Sequence, residues 1–136
     1  MTVAFCLIVN SLFAQRVPGD KVPQAIKAAL AAKCPDAKVV TWEKEKGNFE
    51  ANWGGKSKED TSVLFTPDGG FVEMVVAMPV TSLPSAAISY VKEHYPTSKI
   101  TEAGKITWSG GKSGWEAEVK GKDLVFDDQG KFVKIG

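Results

Sequence analysis

The chain is poor in the residues that carry chemistry by themselves. Among its 136 residues there are one histidine and two cysteines. His94 falls in the last turn of a predicted helix, and the sequence places no nucleophile or acid beside it. It therefore lacks the second member that acid–base or nucleophilic catalysis needs. Zinc-ligand spacing, a phosphate-binding glycine loop and a nucleophile elbow are all missing. GGKSGW at 110–115 has glycines and a lysine but not the leading frame of a phosphate loop, and it reads as a hairpin turn. The net charge is +1 with lysines scattered among acids, so no basic excess invites nucleic acid or an anionic membrane. The expectation is a non-enzymatic protein without cofactor or metal that is not an integral membrane protein.

What is present suits one ordinary domain: 43% of residues are hydrophobic and 24% charged. A domain of this size buries roughly two-thirds of its unfolded surface and needs no disulfide to hold it. The first fourteen residues, MTVAFCLIVNSLFA, carry no charge, and Val3 to Val9 is unbroken apolar. That run is too short to span a bilayer and the right length for the core of a secretory signal, with Ala14 before Gln15 as the cleavage point. The basic start of a signal is missing, so either the true start lies upstream or the run is a core strand. Export to the periplasm or the exterior is the expectation. Cleavage would remove Cys6 and leave Cys34 as a lone thiol, read as a packing residue.

From Val22 onward the chain says one thing twice. Residues 63–74 read VLFTPDGGFVEM and residues 124–135 read LVFDDQGKFVKI, 61 positions apart. Each is a strand pair around a tight turn, Asp68-Gly69 or Gln129-Gly130. The same offset relates Val22-Pro23 to Leu83-Pro84, and Pro35 to Pro96. Between each pair of prolines the apolar residues (Val22, Ile26, Ala29, Leu30; Leu83, Ala87, Tyr90, Val91) fall at helical spacing, predicting a helix of about eleven residues. Asp20 and Thr81-Ser82 are the expected N-caps. Beyond each helix the period becomes two: Phe49, Ala51 and Trp53 alternate with Glu50 and Asn52, and Trp115, Ala117 and Val119 with Glu116 and Glu118. The predicted fold is α+β, a tandem repeat (22–80 and 83–136) of one helix plus a four-stranded antiparallel meander. That makes about eight strands with both helices on one face, after a linker at 15–21.

Helix, proline, strand, the Trp42-to-Glu45 hairpin strand, the aromatic-Glu-Ala strand and the Phe-x-x-Asp-Gly hairpin together resemble the PepSY-like family. Its members are exported bacterial proteins similar in architecture to the β-lactamase-inhibitor protein. The resemblance covers residues 22–136, with Ala103 in place of Trp42 and Gln129 in place of Asp68 in the second copy. It implies a binding role and brings no catalytic residues with it.

The expected binding surface is the sheet face away from the helices, or the longer hairpin at 108–115. Alternation across the last hairpin of the first copy leaves Phe71, Glu73 and Val75 opposite its apolar face. The candidates are therefore Trp42, Glu50, Asn52, Phe71, Trp108, Glu116, Glu118 and Phe132, aromatics set among polar groups. Asp127-Asp128 reads as a turn and not as calcium ligands, because the alternating acids of a calcium loop are absent. QRVPG at 15–19 fits a cystatin loop pattern but precedes the helix, so it is read as chance. The expected partner is an unidentified protein or peptide of the cell envelope, with a peptidase or other hydrolase inhibitor as the sharpest version. The alternative is a small molecule or envelope component.

Overall fold

Each helix is bounded by the prolines that bracket it. In the computed structural model, which describes residues 15–136, α1 (Gln24–Lys33) and α2 (Ser85–His94) are ten residues each. Pro23 and Pro84 stand at the N-caps, and each carbonyl accepts the N–H groups of the third and fourth helical residues at 3.0 and 3.2 Å. Asp20 and Thr81-Ser82 do not cap these helices; they lie in short 3-10 turns, Gly19–Lys21 and Val80–Ser82, leading to each proline. At the far ends Cys34 and Tyr95 donate to the Leu30 and Val91 carbonyls at 2.7 Å, and the next residue, a proline, cannot continue the helix. The proposed export signal and Cys6 lie outside the described residues.

The strands are β1 (Gln15–Val17), β2 (Thr41–Glu45), β3 (Asn48–Trp53), β4 (Thr61–Phe65), β5 (Phe71–Met78), β6 (Ile100–Trp108), β7 (Ser113–Val119), β8 (Lys122–Asp127) and β9 (Phe132–Ile135). They form one antiparallel sheet in chain order, so the α+β expectation holds, with nine strands among the described residues instead of about eight. The extra one, β1, comes from the segment read as a linker: Val17 pairs with Trp42 along β2. Two connections are two-residue turns in which both residues have positive φ, Lys46-Gly47 and Lys120-Gly121, as the twist of such hairpins requires.

Both helices lie on the same face of this sheet. Ile26 and Leu30 of α1 pack on Trp42, Phe49, Ala51, Val63 and Phe65. Ala87 and Val91 of α2 pack on Ala103, Ala117, Val119, Leu124 and Phe126. Phe65 and Phe126, 61 residues apart, are 1% and 0% exposed. The turns after β4 and β8 tuck under the helix starts. At Gly69 (φ +90°) a Cβ would lie 3.0 Å from the Ala25 carbonyl oxygen, and at Gly130 (φ +83°) it would lie 2.9 Å from the Pro84 Cβ. Both residues are therefore bound to be glycine by sterics as well as by φ.

A β-bulge follows in each of these hairpins. Leu64 pairs with Glu73 but Phe65 with Phe71, leaving Val72 as the extra residue. Val125 pairs with Lys134 but Phe126 with Phe132, leaving Val133 extra. One extra residue reverses the side to which every preceding side chain points. Simple alternation therefore misplaces Phe71 and Phe132. Phe71 packs against the α1 core with Lys33 Nζ 3.8 Å above its ring, and Phe132 stacks on Tyr90 of α2 with centroids 4.6 Å apart.

Candidate functional site

The two-residue hairpins decide which acids share the uncovered face. Around Lys46-Gly47, Glu43 pairs with Glu50 and Glu45 with Asn48, while Trp42 pairs with Ala51 on the helix side. Around Lys120-Gly121, Glu118 pairs with Asp123 and Glu116 with Val125. On β4 and β5, Leu64 and Glu73 face the same way, and on β6 Trp108 lies opposite Glu73. The uncovered face thus gathers acids from β2, β3, β5, β7 and β8 around an apolar floor of Val75, Ile106 and Val125, with Trp108 packed against it. A cavity of about 210 Å³ opens between them, lined among others by Glu45, Glu50, Glu73, Trp108, Glu116 and Asp123.

Five of the eight expected residues meet on this face: Glu50, Asn52, Trp108, Glu116 and Glu118. Three do not. Trp42 is 6% exposed in the α1 core, and Phe71 and Phe132 are turned to the helices by the bulges. Trp108 is held from two sides: its Nε1–H donates to Glu73 Oε2 at 3.1 Å, and its ring lies so close to Gly114 that a Cβ there would come within 2.6 Å of it. Asn52 accepts the Ser62 hydroxyl in a short hydrogen bond. Glu45, Glu73 and Asp123 complete the site. Glu45 and Asp123 were legible from hairpin register alone, since each sits on the same face as an already chosen acid across a two-residue turn.

These carboxyls are held away from water. Glu45, Glu50, Glu116 and Asp123 are each 7–8% exposed. Burial, with the neighbouring Glu43, Glu45 and Glu73, pushes Glu50 up to about 8, against a hydrogen bond from Asn52 that pulls it down. Burial, and then Glu118, pushes Asp123 up to about 7. Glu116 stands well above the carboxylate range because of burial and then Asp123, Glu73, Glu50 and Glu102. Glu73 is raised by burial, with the Trp108 hydrogen bond and Lys134 opposing. Glu45 is raised by burial, with Lys46 opposing. Its Oε1 is sealed from solvent and finds no hydrogen-bond partner among the described residues.

The remaining reactive residues stay apart from the cavity. His94 is exposed, stacked on Tyr90 at 3.9 Å, with Nδ1 2.9 Å from the Tyr90 carbonyl oxygen. Cys34 packs beside the α1 core, and burial raises its thiol. Asp127 Oδ1 accepts the N–H groups of Gln129 and Lys131 at 2.9 Å, which is a turn function. Among the described residues no group of three His, Cys, Asp or Glu could hold a metal ion, and no helix is long and apolar enough to cross a membrane.

Comparison with known proteins bears on this arrangement. Three solved structures share the fold. A protein of Bacteroides eggerthii, provisionally assigned to the periplasm, superposes with a TM-score of 0.70 at 16% identity, over 85% of this chain and 88% of its own. A DUF2874 family protein of Bacteroides ovatus gives 0.69 at 17%, over 87% and 89%. A BLIP-like protein of Bacteroides fragilis gives 0.63 at 20%, over 88% and 86%. No curated protein matches the sequence. The family model for β-lactamase-inhibitor-like, PepSY-like proteins matches twice, over residues 13–73 and 55–134, and the chain belongs to that family.

Proposed function

We propose that the protein is a non-catalytic, exported binding module that holds a protein or peptide against the uncovered face of its sheet. One observation carries this reading. A sheet face without helices is ordinarily polar and wet, whereas here Val75, Ile106 and Val125 are 2–6% exposed and lie among acids beside the half-buried Trp108. A cavity with an apolar floor, a few convergent polar groups and an aromatic anchor beside it is the anatomy of a docking site. The family membership supports a binding role, and the BLIP-like relative makes an inhibitor of a hydrolase the sharpest form of it. The relative provisionally assigned to the periplasm supports export. The matched positions 61 apart, buried alike and each preceded by a helix, support descent from a duplicated helix-and-meander unit.

A photo-cross-linking residue in place of Asn48, beside the cavity, tests the site against one in place of Gln24, exposed on α1. Incubation with envelope extract should give an adduct from position 48 only, and Trp108→Ala should reduce it at least tenfold. An adduct from position 24 alone, or one indifferent to Trp108, would contradict the reading. The cavity supports a second reading, a small envelope component as ligand. That reading requires a melting-temperature rise in a metabolite screen and no protein adduct.

A further inference from the structure

The acids of the cavity lack something. A buried carboxyl is stable when it is paired or well hydrogen-bonded. Glu45 is only 8% exposed, lines the cavity, and keeps one oxygen sealed and without a hydrogen-bond partner among the described residues. Glu50 and Glu116, equally buried, line the same space from β3 and β7. Burial holds Glu50 and Glu116 toward their protonated forms; a cation placed among them would displace those protons and pair with the carboxylates left behind, and its kind can be narrowed. No three of the acidic side chains among the described residues are placed to hold one metal ion, so the carboxyls to be met are spread across the cavity and not focused at a point. The floor beneath the acids is apolar, formed by Ile106 and Val125 with Trp108 at its side. A group that suits all of this has several outward-pointing donors, weak hydration and an apolar stem. The arginine side chain has these properties: a planar fork of five donors that can bridge two carboxylates, a guanidinium that stacks on aromatic rings, and three methylenes.

We infer that the acidic cavity of the uncovered face receives an arginine side chain presented by the protein or peptide that docks there. The inference rests on the docking reading given above and adds the chemistry of the anchor: the guanidinium among Glu45, Glu50 and Glu116, the stem along Ile106 and Val125. Lys46 and Lys134, which also line the cavity, oppose a second cation and so favour a single inserted side chain over a basic run.

The test uses the pentapeptide acetyl-Gly-Gly-Arg-Gly-Gly-amide and its citrulline counterpart, which has the same shape without the charge. The readout is the NMR signal of the Trp108 indole N–H. The arginine peptide should shift it saturably in the millimolar range, the citrulline peptide at least tenfold less tightly, and Glu45→Gln combined with Glu116→Gln should weaken arginine binding at least tenfold. Equal binding of the two peptides, no shift at tens of millimolar, or undiminished binding by the double variant would each overturn the inference. So would tighter binding of spermidine, which would assign the cavity to a free polyamine. The two levels of argument separate in the cross-linking experiment. An adduct from position 48 that survives excess arginine peptide sinks the arginine anchor but leaves the docking face standing, whereas adducts from position 24 alone sink the docking face itself.

Discussion

Replacing Glu50 by glutamine should make the protein more stable in alkaline solution and leave it nearly unchanged in acid. The side chain is 8% exposed, facing Leu64 on one strand and Glu43 on the other. Burial first, and then Glu43, Glu45 and Glu73, raise it from its ordinary 4.5 to about 8. In the unfolded chain the same group ionises near 4.5. Between those values the folded protein holds a proton that the unfolded chain has released, so unfolding releases a proton and stability falls as pH rises. Below pH 4.5 both states are protonated and nothing is lost; above 8 the loss is complete. A shift of this size corresponds to about 5 kcal/mol at about 1.4 kcal/mol per pH unit. Water entering the cavity and movement of side chains reduce that ceiling, and a gain of about 2–5 kcal/mol at pH 9 is expected for Glu50→Gln. Glu45, Glu73, Glu116 and Asp123 face the same space and are raised too, so the wild-type curve should fall more steeply than one group alone would make it. Lys46 and Lys134 line the cavity as well and are common to both proteins. Removing the Glu50 charge also relieves Glu116, which adds to the gain. Urea titrations followed by tryptophan fluorescence at pH 5, 7 and 9 measure the difference directly. Parallel curves for the two proteins, or a variant less stable at pH 9, would refute the account of a desolvated acidic cavity.

Two further outcomes test the frame that carries the site. Gly130→Ala should lower the melting temperature markedly, with a loss of about 2–4 kcal/mol, because strain at positive φ adds to contact with Pro84. Gly47→Ala, at the same φ with open space around it, should lose only about 1–2 kcal/mol in the same melts. Phe65→Ala and Phe126→Ala should each cost about 3–5 kcal/mol in denaturant titration, since each is a fully buried ring at the centre of one helix-covered core. If one loses far more than the other, the two halves do not share the load.

Much of this molecule could be read without coordinates. The prolines at 23, 35, 84 and 96 delimit two helices because proline's ring bars the helical hydrogen bond, wherever the rest of the chain goes. The alternation of Phe49 to Trp53 and of Trp115 to Val119 assigns Glu50 and Glu116 to one face because a strand turns every second side chain over. Hairpin register was legible too. The Lys46-Gly47 turn pairs Trp42 with Ala51 and thereby sends that tryptophan to the core, a consequence that composition and aromatic character obscured.

Other features were decided only by tertiary packing. The bulges at Val72 and Val133 reverse Phe71 and Phe132, whose rings then pack against the α1 core and on Tyr90 of α2. β1 exists because β2 offers it an edge; three polar-to-apolar residues have no strand preference of their own. The burial of the acids is the clearest case. A glutamate on an alternating strand reads as solvated, and its desolvation arises only when five strands, distant in the chain, bring their acids around one cavity. Along a strand without a bulge, local sequence governs which way a side chain points, since that is a property of a few backbone angles; what it then meets depends on strands that the chain reaches many residues later.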